Sequence, residues 1–283
     1  MRYTLLFMND RGWKTLATVL GTITAAGAGV LVYGALVESN RLVVENYTLP
    51  LPGWPDELEG YRIAVLGDFH IGTPWSFELA KRAVASAVAE TPDMVVLVGD
   101  FVNYWQSHSA FRIGEALEPL RLLQGDVIAV AGNHDYDLGD PDLLAPILTE
   151  LNIHFLRNQS VSLGGITWVG IDSARVGNDN VDLAFKNLAH DGTPRVALWH
   201  EPDVVDRLPS GCVIQISGHS HGGQFRLPFG FTPMHSELGK RYPRGFYPDA
   251  PTPLFVTRGV GTTGPPSRFL CPPEVAILTL VPG

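Results

Sequence analysis

Five short apolar runs in this chain each end in Asp, Asn or His, and this repeated ending constrains the fold more than any other feature. One run covers residues 94–98 and is followed directly by Gly99 and Asp100. Apolar runs of this length are typical of buried strands. A lone carboxylate at the end of such a strand is costly to bury unless it is paired or bound to a cation. One ending alone is more typical of a turn cap, but five together indicate a site.

The other four runs end in the same way. They are residues 63–66, before Gly67, Asp68, Phe69 and His70; 127–131, before Gly132, Asn133, His134 and Asp135; 196–199, before His200; and 213–217, before Gly218, His219, Ser220 and His221. Reactive groups of sheet proteins lie in the crevice outside the strand ends, so we expect these side chains to lie together. Oxygen ligands mixed with imidazole, without thiolate, favour Mn, Fe or Zn over Ca.

The order of these blocks (D-x-H, G-D, G-N-H-D, H and G-H-x-H) resembles the calcineurin-like metallophosphoesterase superfamily over residues 61–280. The segments G-H-S-H-G-G-Q at 218–224, R-G-V-G at 258–261 and R-F-L-C-P-P-E at 268–274 are similar to its bacterial membrane-anchored phosphodiesterase branch. The resemblance implies two divalent metal ions, which could be Mn, Fe or Zn. One ion would take Asp68, His70 and His221, the other would take Asn133, His200 and His219, and Asp100 would bridge both.

This ligand set suits the chemistry of phosphate esters. Two cations held by one carboxylate can clamp the attacking and leaving oxygens of an in-line displacement at phosphorus, and they turn a bridging water into a hydroxide. His134 is the expected acid that protonates the leaving oxygen. The adjoining Asp135 is expected to orient or charge it. In many relatives an Asp three residues after the bridging Asp has that role; here Asn103 holds that position, which argues against the protein Ser/Thr phosphatase branch.

The expected activity is hydrolysis of a phosphodiester, phosphomonoester or pyrophosphate, and the substrate could be lipid-linked. One specific alternative is hydrolysis of the pyrophosphate bond of a UDP-2,3-diacylglucosamine in lipid A synthesis, which takes place in the cytoplasm. A zinc hydrolase of carbonyl substrates is another class, but its H-x-H-x-D-H motif tends to come early in a chain, whereas the H-x-H pair here is late. A non-catalytic metal-binding anchor protein is a further alternative, and it predicts a broken ligand set.

An uncharged stretch near the N-terminus predicts a membrane anchor. Residues 15–37 carry no charge, and at ~1.5 Å per residue they reach roughly 34 Å, enough to cross a bilayer core. Arg2, Arg11 and Lys14 precede the stretch, so we expect a single-pass protein of the bacterial inner membrane with its catalytic domain outside the cytoplasm. A cleaved signal peptide or a buried core helix would give a similar pattern.

The predicted organisation is a cytoplasmic segment at 1–14, a transmembrane anchor at 15–37, a linker with the first strand at 38–60, and a metallophosphoesterase domain at 61–283. Prolines 50, 52 and 55 are expected to interrupt the strand of the linker. Further helices are expected at 76–90, capped by Ser76, and at 113–123, 140–151 and 181–188; further strands are expected at 166–171, 254–257 and 275–280.

This alternation predicts a layered α/β fold. The family resemblance implies a four-layer αββα sandwich, whereas the alternation alone would also allow a doubly wound sheet. The net charge of −9 gives no evident nucleic-acid-binding face, and the oligomeric state stays open. Residues 222–253 form a Pro- and Gly-rich insertion after the His pair, which could hold a phosphate head group or an acyl chain, or could be a solvated flap.

Overall fold

The computed structural model describes residues 10–186, 188, 191–227 and 231–283, so residues 1–9 of the predicted cytoplasmic segment lie outside the described residues. The strands are β1 Val43–Leu51, β2 Tyr61–Leu66, β3 Met94–Leu97, β4 Asp126–Ala129, β5 His154–Phe155, β6 Gln159–Leu163, β7 Ile166–Ile171, β8 Arg195–Trp199, β9 Cys212–Ser217, β10 Gly245–Tyr247, β11 Leu254–Val256 and β12 Glu274–Pro282. The α-helices are α1 Asp10–Leu36, α2 Pro74–Ala89, α3 Ser109–Leu117, α4 Leu144–Glu150 and α5 Val181–Ala184.

The strands form two six-stranded sheets. The first sheet has the order β1-β12-β2-β3-β4-β5, and the second has the order β10-β11-β9-β8-β7-β6. Strands β2 to β5 are parallel, as are β7, β8, β9 and β11. The carboxyl ends of β2, β3 and β4 therefore lie along one edge of the first sheet, and those of β8 and β9 lie along one edge of the second.

Alternating side chains place each sheet between two apolar layers. Ile63 and Val65 of β2 belong to the core between the sheets, together with residues of β7 to β9 such as Trp168. Their neighbours Ala64 and Leu66 pack in the cluster that contains residues of α2, α3 and α4. Residues of β7 and β8 on the far side of the second sheet pack on α5 and on the 3₁₀ helix that follows β8. This layering confirms the predicted αββα sandwich.

Several helix boundaries differ from the predictions for local chemical reasons. Thr73, not Ser76, is the N-cap of α2; its hydroxyl accepts from the Ser76 backbone N–H, and Ser76 bonds back to the Thr73 N–H. The helix expected at 113–123 starts earlier and ends at Leu117, where a 3₁₀ helix over Glu118–Leu122 follows. Pro119 lies in this 3₁₀ segment and has no N–H to continue the α-helical bonding.

The expected interruption at Pro50 is wrong. β1 continues through Pro50 to Leu51 and pairs in parallel with β12. Because β1 is the outermost strand of its sheet, a proline there need not remove a ladder hydrogen bond. Residues 43–51 of the predicted linker are thus part of the first sheet.

Helix α1 stands apart from these layers. Within the span Trp13–Asn40, a stretch of 18 residues has a mean hydropathy of 1.8 and is not buried against the rest of the chain. The helix is long and apolar enough to cross a membrane. Its last turns contact the domain, where the Ser267 hydroxyl donates to the Leu31 carbonyl at 3.1 Å.

Candidate metal centre

The predicted ligands leave their strands through unusual backbone conformations. Asp68, His70, Asp100, His219 and His221 have φ angles of 51°, 47°, 55°, 69° and 52°. Residues other than glycine seldom adopt this left-handed region, and such strain clusters at functional sites. Hydrogen bonds between the loops stabilise it: the Asp68 N–H donates to the Gly99 carbonyl at 2.9 Å, and the His70 N–H donates to the Asp100 carbonyl at 3.1 Å.

Gly99 allows two of these loops to pass in contact. Its φ is +90°, and a Cβ added there would lie 2.4 Å from the Gly132 nitrogen and 2.7 Å from the Ala131 carbonyl carbon. The loop that carries Asp100 can therefore approach the loop that carries Asn133 only because residue 99 has no side chain.

One group of predicted ligands surrounds Asp68. The Nε2 atoms of His70 and His221 lie 3.0 Å apart, and His221 Nε2 lies 3.5 Å from Asp68 Oδ1. All three side chains are buried, and their candidate ligand atoms lie within 4.8 Å of one another. Atoms that share an ion at about 2.1 Å stand roughly 3 to 3.4 Å apart, so this spacing suits one cation.

A second group contains Asp100, His200 and His219, with the same mutual spacing. His200 Nε2 lies 3.2 Å from Asp100 Oδ2, and the same oxygen lies 3.5 Å from His70 Nε2 of the first group. Asp100 thus belongs to both groups, as a bridging carboxylate would. Asn133 is buried and lines the same cleft, and its Oδ1 has no hydrogen-bond partner among the described residues.

Backbone carbonyls determine which ring nitrogen of His200 and of His219 is free to bind a metal ion. His200 Nδ1 lies 2.5 Å from the Val98 carbonyl, and His219 Nε2 lies 2.5 Å from the Glu237 carbonyl. A carbonyl only accepts, so each of these nitrogens carries the hydrogen, and His200 Nε2 and His219 Nδ1 keep their lone pairs. Metal-bound histidines are commonly oriented by such a contact.

The electrostatics of the two groups favour bound cations. Burial raises the pKa of Asp68 to about 7, and burial lowers the pKa of His70 to about 3. Burial alone would raise the pKa of Asp100, but the neighbouring His200 holds it well below its usual value. Two carboxylates, four imidazoles and an amide fit two divalent ions and leave positive charge for a phosphate group.

His134 lies beside the first group, with its ring edge-on to His70 at a centroid distance of 4.7 Å. Its Nδ1 lies 2.8 Å from the Asn103 carbonyl and 3.0 Å from Asp137 Oδ2. Two acceptors therefore hold the Nδ1 hydrogen. Sequence reasoning missed Asp137, although its position three residues after His134 was an available signal.

The expectation that Asp135 orients His134 is wrong. The Asp135 carboxylate is buried and accepts from the backbone N–H groups of Asp100, Phe101, Val102 and Gly132 at 2.8 to 3.3 Å. It thus joins the loop after β3 to the loop after β4. Asn103 contacts His134, but through its backbone carbonyl rather than its side chain.

Arg268 is a buried residue for which the sequence analysis assigned no role. Its guanidinium donates to the carbonyl oxygens of Arg258 at 2.9 Å and Cys271 at 3.2 Å, and Nε donates to Gly261 at 3.0 Å. Nη2 also lies 3.5 Å from His221 Nδ1. Arg268 therefore joins the loops beneath the first ligand group.

The two groups form the floor of an open cleft of about 590 Å³. Its lining residues come from the strand-end loops and from the insertion; they are Asp100, Asn133, His134, Asp137, Arg175, Val176, His219, His221, His235, Ser236, Glu237 and Thr263. Residues 235–237 of the insertion thus form part of the cleft wall.

Known proteins resemble this chain over most of its length. The family model for calcineurin-like phosphoesterases matches residues 61–223. An uncharacterised metallophosphoesterase of Bacillus subtilis, YkuE, is 28% identical over 273 residues, or 93% of each chain. The Escherichia coli phosphodiesterase YaeI is 28% identical over 81% of this chain and 90% of its own. A Danio rerio transmembrane protein with a metallophosphoesterase domain is 28% identical over 93% of this chain and 62% of its own.

The chain therefore belongs to the calcineurin-like phosphoesterase family, as its sequence motifs predicted. It is a metal-dependent phosphoester hydrolase, and its buried His and Asp groups could hold the metal ions. The role of each site residue and the boundaries of the predicted segments stay predictions.

Proposed function

We propose that this chain hydrolyses a phosphoric ester at a centre of two divalent cations, which could be Mn, Fe or Zn. The proposed ligands are Asp68, His70, Asp100, Asn133, His200, His219 and His221. The observation that carries the proposal is the position of Asp100 Oδ2, which lies 3.5 Å from His70 Nε2 and 3.2 Å from His200 Nε2. One carboxylate is thereby common to both ligand groups, which is what holding two cations close together requires.

The chain's own residues supply the proton and the alignment. Bound divalent cations would supply the charge that activates water and neutralises the phosphate oxygens. In doubly protonated His134, the Nδ1 hydrogen stays on the Asn103 carbonyl and Asp137, and Nε2 can pass its proton to the leaving oxygen. The Asp137 carboxylate stabilises the positive charge that the ring carries before this transfer.

The proposed setting is the bacterial inner membrane, with α1 as a single-pass anchor and the catalytic domain outside the cytoplasm. A phosphodiester is the favoured substrate class because the E. coli relative is named a phosphodiesterase. Phosphomonoesters, pyrophosphates and lipid-linked esters share the same phosphoryl chemistry, so a substrate panel should include them.

Asp100→Asn tests the proposal with bis-p-nitrophenyl phosphate as substrate. Because loss of a residue that merely supports a ligand costs 10- to 100-fold, loss of the bridging ligand should lower kcat by more than about 100-fold. Metal content, measured on the same purified protein, should fall as well. Asp126→Asn is the matched control, because Asp126 is exposed at the start of β4 and should leave both quantities unchanged.

Full activity in Asp100→Asn protein would contradict the proposed centre. A parallel assay with a chromogenic lactam separates this activity from that of a zinc hydrolase acting on carbonyls. Lactam turnover without phosphodiester turnover would favour that other class.

A further inference from the structure

The end of helix α1 packs directly on the loop that walls the catalytic cleft. The Arg268 N–H donates to the Gly34 carbonyl at 3.3 Å, next to the Ser267–Leu31 hydrogen bond. The Tyr33 ring meets the Phe269 ring edge-on at a centroid distance of 6.3 Å. Anchor and catalytic domain are therefore in contact, and residues 267–269 carry that contact.

This contact depends on a glycine. A Cβ added at Gly34 would lie 2.1 Å from Ser267 Oγ and 2.5 Å from the Arg268 carbonyl oxygen. A Cβ added at Gly27 of the same helix would meet nothing within 4 Å. A side chain at position 34 would thus separate helix and loop, whereas one at position 27 would not.

The contact holds the loop beside the last turns of α1. Leu31 lies five residues before the end of α1, which at ~1.5 Å per residue is about 7.5 Å along the helix axis. With α1 as the anchor of the proposed setting, a loop bonded there lies beside the part of the helix that enters the bilayer. Apolar faces of interfacial segments enter the boundary between head groups and acyl chains by roughly 5–10 Å. The distance along α1 from Leu31 to the helix end is of the same size.

Exposed apolar side chains lie on this loop and on the neighbouring insertion. Leu270 is 55% exposed, and on the neighbouring insertion Phe231 is 62% and Met234 is 37% exposed. The insertion is bound to this loop, since the Arg226 N–H donates to the Phe269 carbonyl at 2.9 Å. We call Phe231, Met234 and Leu270 the apolar rim. Such a rim beside a membrane anchor suits contact with lipid.

The other side of the same loop faces the site. Thr263 lines the catalytic cleft, and its backbone is bonded to the Gln224 side chain. A smaller adjoining cavity of about 200 Å³ has His70 and Asn103 on one side and Thr262, Gly264 and Pro266 on the other. Residues 262–270 therefore lie between the proposed metal centre and helix α1.

We propose that the cleft opens at the membrane surface and takes the phosphoester of a lipid in the same bilayer. This inference rests on the proposed function and names its substrate class. Docking of α1 through Gly34 holds the rim at the lipid boundary, where a phosphodiester head group can enter the cleft while its acyl chains stay in the bilayer.

Two probes with the same leaving group separate lipid from soluble substrate. The soluble probe is bis-p-nitrophenyl phosphate, and the membrane probe is dioleoylphosphatidyl-p-nitrophenol in phosphatidylcholine vesicles that also contain the full-length protein. In both, water oxygen bonds to phosphorus and p-nitrophenolate leaves; the lipid product is phosphatidate. We expect the wild-type protein to hydrolyse both.

Gly34→Leu should lower hydrolysis of the lipid probe by at least about tenfold, because the cleft is no longer held against the bilayer, and leave hydrolysis of the soluble probe unchanged. Gly27→Leu, the matched control, should leave both unchanged. Equal lipid hydrolysis by Gly34→Leu and wild type would overturn the inference. Soluble hydrolysis by wild type without lipid hydrolysis would overturn it too, and leave the proposed function standing; hydrolysis of neither probe would contradict the proposed function itself.

A second variant covers the case in which Gly34→Leu protein fails to fold and loses both activities. Phe231→Ser combined with Leu270→Ser alters only exposed side chains of the apolar rim. It should reduce hydrolysis of the lipid probe and retain that of the soluble probe. Undiminished lipid hydrolysis by this variant would overturn the inference.

Discussion

Asp135 and Asp137 lie two residues apart but act on different parts of the molecule. The Asp135 carboxylate is buried and binds backbone N–H groups of two loops. The Asp137 side chain is half-exposed and meets His134 Nδ1 at 3.0 Å. We therefore assign Asp135 to the stability of the loops and Asp137 to the orientation and charge of His134.

Asp137→Asn should lower kcat for bis-p-nitrophenyl phosphate by roughly 10- to 100-fold, the range for losing a carboxylate that supports a functional histidine. Because the side chain is half-exposed, the melting temperature should not change. Steady-state kinetics and thermal unfolding of the same preparation check both expectations. A kcat equal to that of wild type would show that the Asn103 carbonyl alone positions His134.

Asp135→Asn should lower the free energy of unfolding by about 1–3 kcal/mol, because its one amide oxygen leaves buried N–H groups without an acceptor. Denaturant unfolding measures this difference. Asp126→Asn, at an exposed site, is again the control. Wild-type stability together with a reduced kcat would instead return Asp135 to the catalytic role that the sequence had suggested.

Residue types at strand ends predicted the candidate ligands, but not the groups that orient the ligand side chains. The carbonyls that orient His200 and His219 belong to Val98 and Glu237, and every residue has a carbonyl, so no sequence signal identifies them. Asn103 was singled out for its side chain, whereas its backbone makes the contact. Sequence motifs identify side chains, whereas these three contacts are made by backbone carbonyls.

At the scale of elements, local sequence patterns predicted where the strands lie better than they predicted which strands pair. The apolar run at 166–171 coincides with β7. β12 comes from the C-terminus yet lies between β1 and β2, a non-local pairing that periodicity cannot reveal. The same pairing explains why β1 tolerates Pro50, since an edge strand has one unpaired side.

Gly99 lies between strand β3 and the proposed ligand Asp100, and its replacement tests the contact between the two loops. Gly99→Ala should be destabilising on two counts: a left-handed φ costs an alanine about 1–2 kcal/mol, and contact with the backbone of residues 131–132 adds about 1–3 kcal/mol. Gly53→Ala is the matched control, because its φ is +79° and an added Cβ would meet nothing within 4 Å. Equal losses of unfolding free energy in the two variants would show that loop contact at Gly99 is unimportant.

At the scale of the whole molecule, helix α1 and the proposed metal centre are connected through one loop. Helix α1 touches residues 267–268, and Arg268 in turn binds the carbonyls of the loops beneath His221. A membrane helix that served only as a tether would need no such contact, since a flexible linker holds a domain near a membrane equally well. The direct packing fixes the orientation of the cleft relative to helix α1.

The proposed side of the membrane on which the domain lies is a prediction from charge, and a direct test is available. Arg11 and Lys14 flank the uncharged stretch on its N-terminal side, and such residues remain in the cytoplasm. Alkaline phosphatase fused after Gly283 should therefore be active, since it folds only outside the cytoplasm, and green fluorescent protein fused at the same point should stay dark. The opposite pair of results would place the cleft in the cytoplasm. It would favour hydrolysis of a UDP-2,3-diacylglucosamine, and the phosphoester entering the cleft would then come from the inner leaflet.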